Sequence, residues 1–304
     1  MIKLNINNET DSLKSVLLGI AISNGPVPTP EECYDPNSLM HIKSGSYPTQ
    51  DNMIFEMKEL EHVLKLHNVK VYKPKLIPNY NQIFTRDIAF VINDKLVKSN
   101  IIPERGREFN AISDIIKLIK PEEIIELPKN CHIEGGDVIL YDKYVFIGYY
   151  GGLDYPDFIT ARTNKNAIEA IKELFPEKII KSFELRKSNT NPYENALHLD
   201  CCFQPIGKGM ALIHQESFLK DSDFTFIENL FGKSNLFYTT NAEMAAMNCN
   251  VVSISENIII TEKSFTRLNN WLREKKFKVE EVSYAEISKQ GGLFRCSTMP
   301  LVRG

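Results

Sequence analysis

A mixed α/β fold of five repeated ββαβ-like modules, set as a ring around a central channel, is what this 304-residue sequence predicts. Three observations predict it. One order of elements, hairpin then helix then strand, recurs four times between residues 88 and 282. Each hairpin reverses through a short polar or glycine-bearing step, which a purely parallel layered sheet would not need. The apolar segments left at the two ends of the chain are of the kinds needed for a fifth unit. Repetition of one supersecondary unit marks radial architectures, in which equivalent strand ends far apart in sequence meet at the centre.

Residues 14–22 read as a buried, β-branched strand stopped by Asn24-Gly25-Pro26. Pro26, Pro28, Pro30, Pro36 and Pro48 make 24–48 a long irregular stretch, a candidate lid. Met53, Ile54, Met57, Leu60, Val63, Leu64 and His67 fall on one face of a helix over 51–67, and 69–73 alternates as a strand. Hairpins follow over 88–100, 137–149, 198–215 and 250–262. Each leads to a helix (107–119, 164–174, 220–231, 264–275) and a strand (123–127, 178–184, 236–240, 278–282). The strand 294–302 returns to complete the first unit, so residues 1–304 are expected to form a single domain.

Thirty-six basic and 39 acidic residues give a net charge of −3, interleaved along the chain, so no surface for nucleic acid is implied. Neither a secretory signal nor an apolar run long enough for a bilayer is present, and a soluble, cytoplasmic protein without a membrane partner is expected. Cys33, Cys131, Cys201, Cys202, Cys249 and Cys296 read as free thiols. There is no CxxC, HExxH, GxGxxG or Walker-type loop, so neither a metal nor a nucleotide cofactor is expected.

Four short motifs could carry chemistry. In Gly291-Gly292-Leu293-Phe294-Arg295-Cys296, a thiol sits next to a fixed positive charge, which would favour the nucleophilic thiolate. Phe84-Thr85-Arg86-Asp87 reads equally as an internal ion pair or turn cap. In Glu134-Gly135-Gly136-Asp137 the glycines would permit a bulge that re-aims Glu134 inward, with a solvated turn as the alternative. In His198-Leu199-Asp200, read as the start of a strand, period two puts imidazole and carboxylate on one face, suited to proton transfer and recognition of a cation. A hydrogen-bonded core histidine is the alternative.

In order and spacing, FTRD, EGGD, HLD and GGLFRCSTMPLVR resemble the guanidine-modifying, or pentein, superfamily over nearly the whole chain. That superfamily comprises arginine deiminases, dimethylarginine dimethylaminohydrolases and amidinotransferases. The resemblance implies a five-bladed α/β propeller without metal or cofactor. It implies Cys296 as nucleophile, His198 as general acid/base, Glu134 as its orienting partner, and Asp87 and Asp200 as the grip on the guanidinium. Arg162, in an RTN segment, and Arg105, in an RxxE segment, are its candidates for the substrate carboxylate, and Arg295 either binds substrate or tunes the thiol. Aspartate two residues after the histidine is the deiminase and amidinotransferase pattern, so the expected activity is hydrolysis of the guanidino or ureido group of arginine or a derivative. The expected partner is a small guanidino amino acid, with homo-oligomerisation open. Amidino transfer and dimethylarginine hydrolysis are the enzymatic alternatives, and a guanidino-compound-binding protein is the non-enzymatic one.

Overall fold

Five three-stranded sheets, all built alike, account for the fifteen strands of the computed structural model, which describes residues 1–304. The first unit begins with β1 (Leu13–Leu18), α1 (Pro36–Lys43), α2 (Gln50–Leu66) and β2 (Lys70–Tyr72). The second holds β3 (Ala89–Ile92), β4 (Lys95–Lys98), α3 (Glu108–Ala111), α4 (Ser113–Ile116) and β5 (Ile124–Glu126). The third holds β6 (Val138–Tyr141), β7 (Tyr144–Tyr149), α5 (Lys165–Leu174) and β8 (Ile179–Glu184). The fourth holds β9 (Phe203–Ile206), β10 (Met210–Ile213), α6 (Asp221–Phe231) and β11 (Leu236–Tyr238), followed by α7 (Asn241–Ala245). The fifth holds β12 (Val252–Ser255), β13 (Ile258–Glu262), α8 (Thr266–Glu274) and β14 (Lys278–Val282). Then α9 (Ala285–Ser288) leads to β15 (Thr298–Arg303), which pairs antiparallel with β1 and completes the first sheet.

In every unit an antiparallel pair is joined by a parallel third strand that arrives after a helical crossover. The hairpins turn where the sequence suggested. Asn93, Asp142 and Lys208 have φ of 54°, 51° and 62°, the left-handed region that short polar residues and tight two-residue turns accommodate. Successive units touch. Backbone bridges join Ile6 to Asn93, Asn100 to Ile133 and Leu185 to Phe218, the Glu256 carbonyl closes on Gly207, and β12 packs on β1. No helix is long and apolar enough to cross a membrane.

Three expectations are corrected. The stretch 24–48 is not wholly irregular, because Pro36 starts α1 and the Asp35 side chain caps it by accepting from the Ser38 amide at 2.7 Å. The helix expected over 107–119 is broken at Ile112 into α3 and α4, since the β-branched run Ile112, Ile115 and Ile116 and the competing Ser113 hydroxyl weaken a continuous helix. Finally, β9 and β15 begin at Phe203 and Thr298, several residues later than read from the sequence. The residues before them form tight turns, and those turns build the site.

Candidate active site

Ahead of its inner strand, every unit makes one compact turn: 85–88, 135–137, 199–201, 246–249 and 294–297. All four chemical motifs lie on or next to these turns. In the fourth unit the turn is a 3-10 helix, Leu199–Cys201, which at three residues per turn sends positions two apart in different directions. The shared face expected for His198 and Asp200 is therefore not formed. His198 faces a cavity, while Asp200 is fully buried beneath it.

That cavity has a volume of about 80 Å³. Asp87, His198 and Cys296 line its floor, Arg105 and Arg162 its side, and Cys33, Tyr34 and Asp35 from the 24–48 stretch roof it. Nε2 of His198 is 2.9 Å from Oε2 of Glu134, and its Nδ1 is 3.7 Å from Oδ1 of Asp87. The other carboxylate oxygen of Asp87 accepts from Nη1 of Arg105 at 2.7 Å, leaving Oδ1 buried without a hydrogen-bond partner. A side chain on Gly136 would stand 2.7 Å from the imidazole and 2.9 Å from that oxygen, so the absence of a Cβ there is what lets His198 and Asp87 approach.

Cys296 has acids, not bases, around its sulfur. Sγ lies 3.7 and 4.0 Å from the two oxygens of Asp200, and burial together with Asp200 and Asp87 pushes the thiol well above its ordinary range. Burial would lower His198, but the Asp87 charge and the Glu134 hydrogen bond outweigh it and raise the imidazole. Against its own burial, Glu134 is brought down to about 2 by Arg162 and His198. Burial and acids thus favour the protonated thiol and imidazole, while Glu134 is held as a carboxylate.

The arginines fall where the sequence did not put them. Arg295 turns away from the sulfur: its Nη1 donates to Asp200 at 2.9 Å, its Nη2 to Glu9 at 2.9 Å and to the Val138 carbonyl at 2.7 Å. It does not line the cavity, which corrects the substrate-binding role expected for it, and it reaches the thiol only through Asp200. Asp200, thus occupied, does not line the cavity either. Arg105 makes a two-pronged pair with Glu108, bonds Asp87 and donates to the Phe84 carbonyl. Arg162 donates to Glu134, to the Ile159 carbonyl and to the Tyr34 carbonyl of the roof. Each of these two keeps one of its five N–H groups uncommitted.

Two residues were missed. Asn250 donates from Nδ2 to Sγ of Cys296 at 3.2 Å, while its Oδ1 accepts from the amides of Arg295 and Cys296 at 2.9 and 3.2 Å. Its place beside the fifth turn, equivalent to the other motifs, was the available signal. Glu9, under Arg295, had none. Asp87, Glu134 and His198 also present donor atoms within 4.8 Å of one another, but Arg105 and Arg162 already pair with both carboxylates.

Residues 38–303 match the family model described as N,N dimethylarginine dimethylhydrolase, eukaryotic. The uncharacterized protein YkgA of Bacillus subtilis is 33% identical over 252 residues, covering 81% of this chain and 78% of that protein. An arginine deiminase of Listeria welshimeri is 26% identical over 269 residues, covering 75% of this chain and 63% of its own length. Two solved structures share the fold. The N-terminal domain of ArgZ, an arginine dihydrolase from cyanobacteria, superposes with a TM-score of 0.78 at 21% identity, covering 96% of this chain and 98% of that one. SxtG, an amidinotransferase from Microseira wollei, superposes with a TM-score of 0.76 at 19% identity, covering 99% and 97%. With its motifs, its five sheets and a family model spanning most of its length in agreement, the chain belongs to the N,N-dimethylarginine dimethylhydrolase family, within the pentein superfamily of enzymes that act on guanidino groups.

Proposed function

We propose that this chain, one domain over residues 1–304 shaped as a five-bladed α/β propeller, is a cysteine-dependent hydrolase acting on the guanidino group of arginine or an arginine derivative. One observation carries the reading: the Cys296 thiol, the His198 imidazole and the unpartnered oxygen of Asp87 face the same cavity. A guanidinium is a flat, resonance-stabilised cation whose carbon resists attack. Asp87 Oδ1 accepts its N–H groups, and the incoming positive charge offsets the acids around Cys296, so the thiol proton leaves to solvent and the thiolate forms in the complex. Sγ adds to the carbon. His198, held through Nε2 by Glu134, donates the Nδ1 proton to the departing amine as the C–N bond breaks, leaving a thiouronium. The neutral imidazole then takes a proton from water, whose oxygen adds to the same carbon, and cleavage of the C–S bond releases the ureido product.

In this reading Asp200 acts from beneath the thiol, not as a second grip, and the free N–H groups of Arg105 and Arg162 receive the substrate carboxylate. The 24–48 stretch serves as the lid. A second reading, hydrolysis of an N-methylated arginine, is favoured by the placement of Asp200: with Asp200 off the lining, Asp87 is left as the carboxylate on the floor beside His198 and Cys296, which suits a guanidinium with fewer N–H groups. The purified protein is to be assayed with arginine, methylarginines and citrulline, with and without glycine as acceptor. Ammonia plus citrulline supports the first reading, and methylamines plus citrulline the second. Turnover that requires glycine would make the protein a transferase. Cys296→Ser is expected to cut turnover by about 10³-fold or more while ligand binding persists; binding without turnover in the parent protein would make it a binding protein.

A further inference from the structure

Behind the site, on the side of Arg295 away from the thiol, lies an excess of buried positive charge. Arg295 uses all five of its N–H groups on Glu9, Asp200 and two carbonyls. Its neighbours do not. Arg86 is only 5% exposed, yet its contacts are one long bond from Nε to the Arg295 carbonyl at 3.3 Å and an approach of 3.9 Å from Nη2 to Glu9, too far for a hydrogen bond. Arg303 is 2% exposed, with Nη1 on the Asp11 carbonyl and Nε buried without a partner. Glu9 accepts from Arg295 at 2.9 Å, has Nη2 of Arg86 at 3.9 Å and feels the charge of Arg303, while Arg295 also pairs with Asp200 and Asp11 is exposed at the surface.

Two buried guanidiniums with most of their donors idle are a costly arrangement unless something accepts from them. Water could satisfy the donors but not the charge, since three buried cations face two buried carboxylates. We propose that Arg86 and Arg303, beside Glu9, form a binding site for a small monovalent anion of the halide class. The site is separate from the catalytic cavity and does not depend on the reaction assigned to it.

The test uses the intact protein. Melting is followed in chloride and in gluconate at equal ionic strength, and crystals are grown in bromide. Chloride at about ten times its Kd is expected to favour the folded state about 11-fold, a rise in Tm of about 2–3 °C that grows with the logarithm of chloride concentration above Kd. Bromide is expected to give an anomalous peak within hydrogen-bond reach of Arg86 and Arg303. Arg86→Met should abolish the chloride effect on Tm; should that variant not fold, Arg303→Lys is expected to weaken it. Equal melting in both salts, with water alone between the two guanidiniums, would overturn the proposal.

Discussion

At the scale of single residues, the nucleophile is set by its neighbours more than by the amino acid preceding it in sequence. Because burial and the acids favour the protonated Cys296 thiol, and a bound guanidinium would offset those acids, the free protein and its substrate complex are expected to titrate differently. The profile of kcat/KM, which reports the free enzyme, is therefore expected to be displaced in pH from that of kcat, which reports the complex. Superimposable limbs in steady-state profiles would remove the substrate from the activation step. Asn250→Ala takes a donor from the sulfur and leaves two buried amides unpaired, with an expected loss of about 2–3 kcal/mol in denaturant unfolding and slower alkylation of Cys296. Cys296, His198, Glu134 and Asp87 were legible because each stands in a short motif whose chemistry is visible in one dimension. The partners of Arg295 were not, since a guanidinium reaches far enough that its sequence neighbour need not be its spatial one.

At the scale of elements, the turn before each inner strand is the working part. Period-two alternation is a sound guide inside a strand, and it found the hairpins, but it fails at the residues just outside, where a 3-10 turn or a compact loop resets the direction of every side chain. The misplacement of Asp200 is the result. Gly136 tests the importance of the turn directly: Gly136→Ala should force the imidazole and the Asp87 carboxylate apart. Displacement near 1 Å is expected to lower kcat about 10²-fold, with an amide exchange pattern in β6 and β9 close to that of the parent. Exchange that rises throughout both sheets would instead mark the glycine as a folding requirement.

For the whole molecule, buried titrating groups predict how stability follows pH. Glu9 and Glu134, both brought to about 2 from 4.5, contribute stability above pH 4.5 that is lost as pH falls toward 2. Glu108, lifted by burial to about 7 even against Arg105, and His198, raised above 6.5, work in the opposite sense. Glu108 contributes fully below 4.5 and loses its contribution as pH climbs to 7, and His198 does so as pH rises through 6.5 and beyond. Calorimetric melting should therefore peak between about pH 4.5 and 6.5 and decline on both sides; a maximum above pH 8 would contradict this charge distribution. The closing of the first sheet by β15 has one more consequence. Since Cys296 sits on the turn that feeds that strand, a polypeptide interrupted during translation between Asp200 and Cys296 carries the acids and the imidazole but not the thiol proposed to attack, so only a finished copy can assemble the site.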